Sequence, residues 1–367
     1  MNKKILIAPL DWGLGHATRC IPLVEELIFK GAKITLAGSG GGLTLLKEQY
    51  PNFPSLELPA YRVRYSARSQ QVGMLIRQLP RLLRVIQQER QILAQWIRKH
   101  PQDGIISDNR YGCWNAQIPC VFLCHQLNPL LPSPLARFQG SLFHLHRRFL
   151  RPFQEIWIPD YAPPDSLSGR LSQPGVQLEK ALFIGPLSRF SKFTSQTPGF
   201  YTKTLRGNPP FALAILSGPE PQRSLLEAQL LKQAESLEHS LWIIQGKWDR
   251  TEPIIKGNCT LIPHMHQQDL YLAIQSAQYI ISRSGYSSIM DYEALGVKRS
   301  ILIPTPGQSE QEYLGEKLHK EKVALCVRQN HLNLPAAFEQ VLECKGFERS
   351  DSANHLSWKI DKWLTSL

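Results

Sequence analysis

The stretch Tyr279-Ile280-Ile281-Ser282-Arg283-Ser284-Gly285-Tyr286-Ser287-Ser288-Ile289-Met290-Asp291-Tyr292-Glu293-Ala294-Leu295-Gly296 constrains this chain most. An apolar run of strand length meets a small-residue turn, and a helical pattern follows that stops at a glycine. Such a unit turns the backbone N–H groups of a helix N-terminus towards an anion, for example a diphosphate. Asp291 is the first carboxylate of that helix, one to two turns in, within reach of ribose hydroxyls beside the anion. The plain alternative is an ordinary helix capped by Ser284. A second strand, Ser300 to Ile303, leads into Pro304-Thr305-Pro306-Gly307-Gln308-Ser309-Glu310-Gln311-Glu312 and a helix to about Glu321. Two successive strand ends thus place Arg283, Ser288, Asp291, Gln308, Gln311 and Glu312 on one edge of a parallel sheet, where α/β proteins hold ligands. None of them is a nucleophile by context. The set suits a ligand rich in hydroxyls and phosphates.

The same alternation opens the chain. Lys4 to Leu10 reads as a fully buried strand, followed by Asp11-Trp12-Gly13-Leu14-Gly15-His16-Ala17-Thr18-Arg19, a helix to Lys30 and a strand from Lys33 to Ala37. The loop lacks the GxGxxG pattern and no Walker lysine follows, which disfavours dinucleotide and P-loop sites. His16 sits where a strand end meets a helix start, either as a capping histidine or as a group close to a ligand. Strands Gly104–Asp108 and Cys120–His125 end on the same edge, with Asn109 after the first and Gln126 after the second. Asp108 is placed to orient and charge-stabilise the His16 imidazole, the support a general base needs. A long helical pattern from about Gln70 to Lys99, with Pro80 as the point of a bend, carries an arginine-rich face.

A second alternation starts at Phe211–Leu216 and runs through the loop Ser217-Gly218-Pro219-Glu220-Pro221-Gln222-Arg223, strands Leu241–Gln245 and Thr260–Ile262, and His264-Met265. The expectation is therefore α/β: two Rossmann-like domains facing across a cleft. The first covers residues 1–187, a Ser/Thr/Pro-rich linker 188–210 and the second domain 211–350. A C-terminal helix at 351–367, with Trp358, Ile360 and Trp363, is expected to pack back towards the first domain.

Charge separates the halves. Residues 1–190 carry 23 Lys and Arg against 12 Asp and Glu, a net of +11, whereas residues 191–367 carry 19 against 18, a net of +1. A one-sided basic domain suggests an acidic partner, and the Arg-rich helix and the aromatic-basic stretch 135–153 suggest peripheral contact with an anionic membrane. No recognised nucleic-acid module is present, so no nucleic acid is expected. No apolar run approaches the roughly 18–20 residues of a spanning helix. The seven cysteines (Cys20, Cys113, Cys120, Cys124, Cys259, Cys326 and Cys344) are scattered without metal-ligand spacing, which reads as reduced thiols in a cytoplasmic protein with no metal site.

The Gly-His loop after the first strand, Arg283-Ser284-Gly285 with Asp291, and Gln308 with Gln311-Glu312 resemble the GT-B glycosyltransferases. They are most similar to family 28, which includes the lipid II-forming N-acetylglucosaminyltransferase, and to the UDP-glycosyltransferases. The likeness covers the whole chain in layout, with specific motifs at about 11–19 and 280–313. It implies an inverting, metal-independent, cofactor-free transfer of a hexosyl or N-acetylhexosaminyl group from a nucleotide diphosphate sugar. The donor implied is a UDP-sugar such as UDP-N-acetylglucosamine, and the acceptor a hydroxyl, lipid-linked or of the cell envelope. Carried over, Asp291 takes the ribose, Ser284, Gly285 and Ser288 lie by the diphosphate with Arg283 or Arg223 assisting, and Gln311 and Glu312 lie by the sugar. Ser217, Gly218, His264, Met265 and Gln308 complete the donor side. His16 is the base, Asp108 its support, and Asp11, Trp12, Gly13, Gly15, Asn109, His125 and Gln126 form the acceptor side. The family carries glutamate where this chain has Asp291, and Trp12-Gly13-Leu14-Gly15-His16 replaces its Gly-Gly-Thr-Gly-Gly-His loop, which points to a different acceptor. A UDP-sugar epimerase of the same fold and a non-catalytic nucleotide-sugar-binding partner are the rival expectations.

Overall fold

The computed structural model describes residues 2–61, 71–131, 139–173, 179–191, 211–247, 252–349 and 353–367. The stretch 61–69, which the sequence suggests as a basic loop, lies outside them from residue 62 on, as does the linker from 192 to 210. The chain divides into two compact units, the described part of the second lying, apart from Gln71, within Phe193–Ser350.

The first unit is built on seven strands: β1 (Lys4–Pro9), β2 (Lys33–Gly38), β3 (Ser55–Glu57), β4 (Gly104–Asp108), β5 (Cys120–Leu123), β6 (Glu155–Ile158) and β7 (Ala181–Phe183). All pairings are parallel, in the order β3-β2-β1-β4-β5-β6-β7. Ile5, Leu6, Ile7 and Ala8 are wholly buried, as a central strand covered on both faces requires. Its helices are α1 (Gly15–Phe29), α2 (Gly40–Gln49), α3 (Gln71–Lys99) and α4 (Gln139–Leu150). α3 continues through Pro80 as one helix. β5 stops at Leu123, two residues before the expected end, because its ladder with β4 closes at Asp108↔Leu123. Ser188 and Phe190, expected in the linker, are buried and belong to the first unit.

The second unit repeats the plan. β8 (Ala212–Ile215), β9 (Leu241–Ile244), β10 (Ile254–Lys256), β11 (Cys259–Ile262), β12 (Tyr279–Ser282), β13 (Ser300–Leu302) and β14 (Leu325–Cys326) lie in the order β10-β11-β9-β8-β12-β13-β14. Among the described residues only β10 is antiparallel to its neighbour. Helices α5 (Gln222–Ala234), α6 (Gln267–Ser276), α7 (Tyr286–Leu295), α8 (Ser309–Lys320) and α9 (Leu334–Gln340) connect the strands. In both sheets the strand order reverses beside the first strand, between β1 and β4 and between β8 and β12. Loops leaving opposite sides of such a point splay apart and leave a crevice at the carboxyl edge.

The last helix, α10 (Ala353–Ser366), returns to the first unit. Leu356, Ile360, Trp363 and Leu364 are buried, and Trp363 meets Trp157 edge-on at 5.5 Å. Lys30 reaches Asp361 at 2.6 Å and Lys359 reaches Glu155 at 2.8 Å, pinning the helix at both flanks. Among the described residues no helix is long and apolar enough to cross a membrane.

Candidate active site

At the reversal point of the first sheet, β1 and β4 end in register, Pro9 opposite Asp108, and Leu10 N–H donates to the Asp108 carbonyl at 2.9 Å. Gly13, at φ +84°, turns the chain into α1. His16 falls in the first turn of α1, with its Nδ1 3.1 Å from Asp108 Oδ2. Arg19, one turn on and fully buried, forks onto the same carboxylate: Nε donates to Oδ2 at 2.8 Å and Nη2 to Oδ1. Arg19 Nη2 also lies 2.9 Å from His16 Nδ1, and Nη1 lies 3.0 Å from His125 Nδ1. Burial alone would raise the Asp108 carboxyl, but Arg19 and His16 beside it hold it well below the usual carboxylate range. Burial lowers His16 below an ordinary histidine; Asp108 opposes this and Arg19 reinforces it. The imidazole is thus kept neutral, the state a base must start from.

The other residues of this edge divide by role. Asn109 adopts φ +57° at the end of β4, and its N–H donates to Leu123 carbonyl at 3.2 Å. His125 and Gln126 follow β5 in the loop, and His125 is buried against Arg19. Trp12 is 40% exposed and leans edge-on against Tyr61. Asp11, expected on the acceptor side, is instead used by the fold: its carboxylate accepts from Tyr61 N–H at 3.0 Å and stands 3.9 Å from buried Arg110. Arg110 in turn bonds Glu89, Ser39 Oγ and the Pro9 carbonyl, a buried network under the loop.

At the reversal point of the second sheet, Gly218 takes φ +94°, and a Cβ there would stand 3.7 Å from Thr305 Oγ1, so the loops after β8 and β13 nearly touch. Gly285 is the N-cap of α7 and carries no capping side chain. Gly285 and Ser288 are half-buried among buried neighbours, and Asp291 is buried on the next turn. His264 and Met265 follow β11 on the same edge, Met265 buried.

Several donor-side expectations need correcting. Arg283 does not offer charge to a ligand. It is fully buried, with Nη1 donating to the carbonyls of Ile303 and Pro304 at 3.2 Å and to Gln329 Oε1 at 2.8 Å, and Nη2 to the Gln222 carbonyl at 2.7 Å. Burial without a carboxylate pulls its guanidinium down to about 10. It straps the loop ends together. Ser284 Oγ donates to the Gln311 carbonyl at 2.7 Å, so its hydroxyl is not free for phosphate. Gln311 Oε1 accepts from Thr305 N–H at 2.8 Å and Glu312 Oε1 from Gly307 N–H at 2.9 Å, so both acceptors shape the loop before α8. Arg223 remains at the rim, bonded to Glu220 and to the Gly246 carbonyl. Ser217, Gly218, Gly285, Ser288, Asp291 and Gln308 keep positions compatible with ligand contact. Buried Thr305 Oγ1 and Gln308 Oε1 have no partner among the described residues.

Sequence reasoning missed Arg19 and Thr305. The i, i+3 spacing of His16 and Arg19 was the available signal for the first; Thr305 carried none beyond its place after a strand.

Residues 223–357 match the glycosyltransferase family 28 C-terminal domain. The chain is 25% identical over 197 residues to an uncharacterized glycosyltransferase of Methanosarcina acetivorans, a match spanning 51% of this chain and 50% of that protein, about half its length. Acinetobacter baumannii MurG aligns over 99% of this chain and 100% of its own, with TM-score 0.55 and 14% identity. Phytolacca americana UGT2, solved with UDP-2-fluoro-glucose and pterostilbene, aligns over 100% and 94%, with TM-score 0.56 and 16% identity. At these identities the structures speak for the fold, which is that of the GT-B glycosyltransferases, and the likeness to family 28 rests on the match over residues 223–357.

Proposed function

We propose that this protein is an inverting glycosyltransferase that moves a sugar from a nucleotide diphosphate sugar, a UDP-sugar in the first instance, to an acceptor hydroxyl. The observation that carries the reading is the His16–Asp108 contact at the reversal point of the first sheet. The second unit binds the donor: the α7 N-terminus after Gly285 faces the diphosphate, and Asp291 takes the ribose hydroxyls. The first unit binds the acceptor. As the acceptor oxygen attacks the anomeric carbon, its proton passes to His16 Nε2, the bond from that carbon to the diphosphate oxygen breaks, and the nucleoside diphosphate leaves. A single displacement inverts the anomeric centre. Charge on the leaving group is met by the backbone N–H groups of α7, which need no reorganisation as it develops, and no metal is required in this scheme.

The test pairs binding with turnover. A UDP-sugar should raise the melting temperature of the wild type and not of Asp291→Ala. In His16→Ala the same stabilisation should persist while transfer falls by about 10²–10⁴-fold. The acceptor screen should include vesicle-borne lipid-linked hydroxyls, because α3 sets exposed Leu79 and Leu83 beside exposed Arg81 and Arg84. Donor binding with no turnover in any screen, and no change in His16→Ala, would favour the non-catalytic reading.

A further inference from the structure

Three side chains converge on one buried carboxylate. Asp108 is held in a fork by Arg19, and His16 Nδ1 sits beside the corner of that fork, 3.1 Å from Asp108 Oδ2 and 2.9 Å from Arg19 Nη2. These two contacts make opposite demands on the ring. Facing the carboxylate, Nδ1 must carry a hydrogen; facing the guanidinium, it must offer a lone pair, since arginine only donates. In a neutral ring with Nδ1–H on Asp108, Nε2 keeps the lone pair that a base needs. An imidazolium would bring a second positive charge within 3 Å of Arg19, which has no proton to give up at any relevant pH. Arg19 is also held from its far side. Its Nη1 donates to His125 Nδ1 at 3.0 Å, and it has no room to swing away, being fully buried.

We propose that Arg19 is a positioning residue of this centre: it shares Asp108 with His16 and so keeps the His16 imidazole neutral and aimed, with Nε2 as the proton acceptor. The role given to Nε2 rests on the reading of His16 as the base. The titratable groups facing His16 are Arg19 and Cys20 from α1, Asp108 from the end of β4 and His125 from the loop after β5. The Cys20 thiol, 3.8 Å from Asp108 Oδ2, is pushed up by burial and stays uncharged, as a hydrogen-bond donor to the carboxylate. Burial is thus the largest influence on the ring and lowers it; Asp108 opposes this, and Arg19, with a smaller contribution from His125, reinforces it.

The direct test is a ring-signal NMR titration of the full chain with labelled histidine, His16 being assigned by its disappearance in His16→Gln. The expected result is a wild-type His16 that titrates below the ordinary histidine range, moves to higher pH in Arg19→Gln, and stays near wild type in Arg19→Lys. A merely structural arginine would leave the midpoint where it was. An unmoved midpoint in folded Arg19→Gln overturns the proposal, and so does a wild-type His16 that titrates at or above an ordinary histidine. If Arg19→Gln fails to fold, the wild-type midpoint can still overturn the proposal, and a midpoint in Arg19→Lys well above that of the wild type would overturn it as well. In an active enzyme, the acid limb of kcat/KM should move to higher pH in Arg19→Gln together with the NMR midpoint. A midpoint that moves in a protein that transfers no sugar supports the charge coupling and sinks the transferase reading instead. Turnover with an unmoved midpoint does the reverse.

Discussion

Two buried arginines show how little a residue type says without its partners. Arg19 meets a carboxylate, which raises its guanidinium above the usual value; Arg283 meets carbonyl groups and one amide, and burial lowers it to about 10. Each sits near a strand–helix junction, and in the sequence only Arg283 reads as a ligand-binding cation. His16 and Asp108 were legible because a glycine loop after a buried strand and an acid ending a second buried strand share an edge in any parallel sheet. Arg19 was not, because its partner lies 89 residues away and an arginine in a helix ordinarily faces water. A second buried imidazole gives a pH prediction. His146 donates from Nδ1 to the Leu127 carbonyl at 3.2 Å, and burial lowers it below an ordinary histidine. Its folded-state value lies below the unfolded value of about 6.5, so on acidification the unfolded chain takes up the proton first. The stability is present above about pH 6.5 and declines as the pH falls from 7 to 5. Urea titrations should show that slope reduced in His146→Gln, and an equal slope in both proteins would remove His146 as its source.

Elements rather than single groups make the donor edge. α8 lies against the turn between β12 and α7 through the Ser284–Gln311 bond, and one turn on Gly315 leaves no room for a side chain. A Cβ there would come within 2.6 Å of Cys326 Sγ, 3.1 Å of Pro304 Cγ and 3.5 Å of Ser284 Oγ. The helix sits this close because Ser284 donates into it at the Gln311 carbonyl and Gln311 returns a bond to Thr305 N–H. Gly315→Ala should therefore destabilise the second unit by about 1–3 kcal/mol, the usual effect of overpacking, and should weaken UDP-sugar binding without removing any contact group. Urea midpoints together with the donor-induced melting shift check both halves; a variant as stable as wild type would mean the packing yields easily. This arrangement could not be read in advance. Gln311 and Glu312 look like sugar ligands in a string of letters, and only the loop's path from Thr305 to Gln308 turns their oxygens back onto backbone N–H groups. β10 was also missed, since Ile254 and Ile255 are exposed on an edge strand of three residues and follow no buried pattern.

Across the whole molecule the chain builds one plan twice and then returns to the first copy. The two sheets share strand order around their first strands without any repeat in sequence, which is why alternation of strands and helices predicted the class while the candidate site residues cluster at strand ends and the first turns of helices. The return through α10 was suggested by Trp358, Ile360 and Trp363, of which the last two are buried and Trp358 is 62% exposed. What could not be suggested was its seat. Gly104, the first residue of β4, leaves the space that Trp363 fills, its ring carbon 2.6 Å from where a Cβ would stand. This ties the last turn of the chain to the strand that ends in Asp108. Trp363→Ala should cost about 3–5 kcal/mol, as loss of a buried tryptophan does. Hydrogen exchange read by mass spectrometry should place that loss in β1, β4 and β6, with the segments 217–223, 283–291 and 305–312 keeping their protection by UDP-sugar. That outcome would separate support of the His16–Asp108 centre from donor binding within one chain. Donor protection appearing in the β1 and β4 segments, and absent from 283–291, would put the nucleotide in the first unit and reverse the assignment of the two sites.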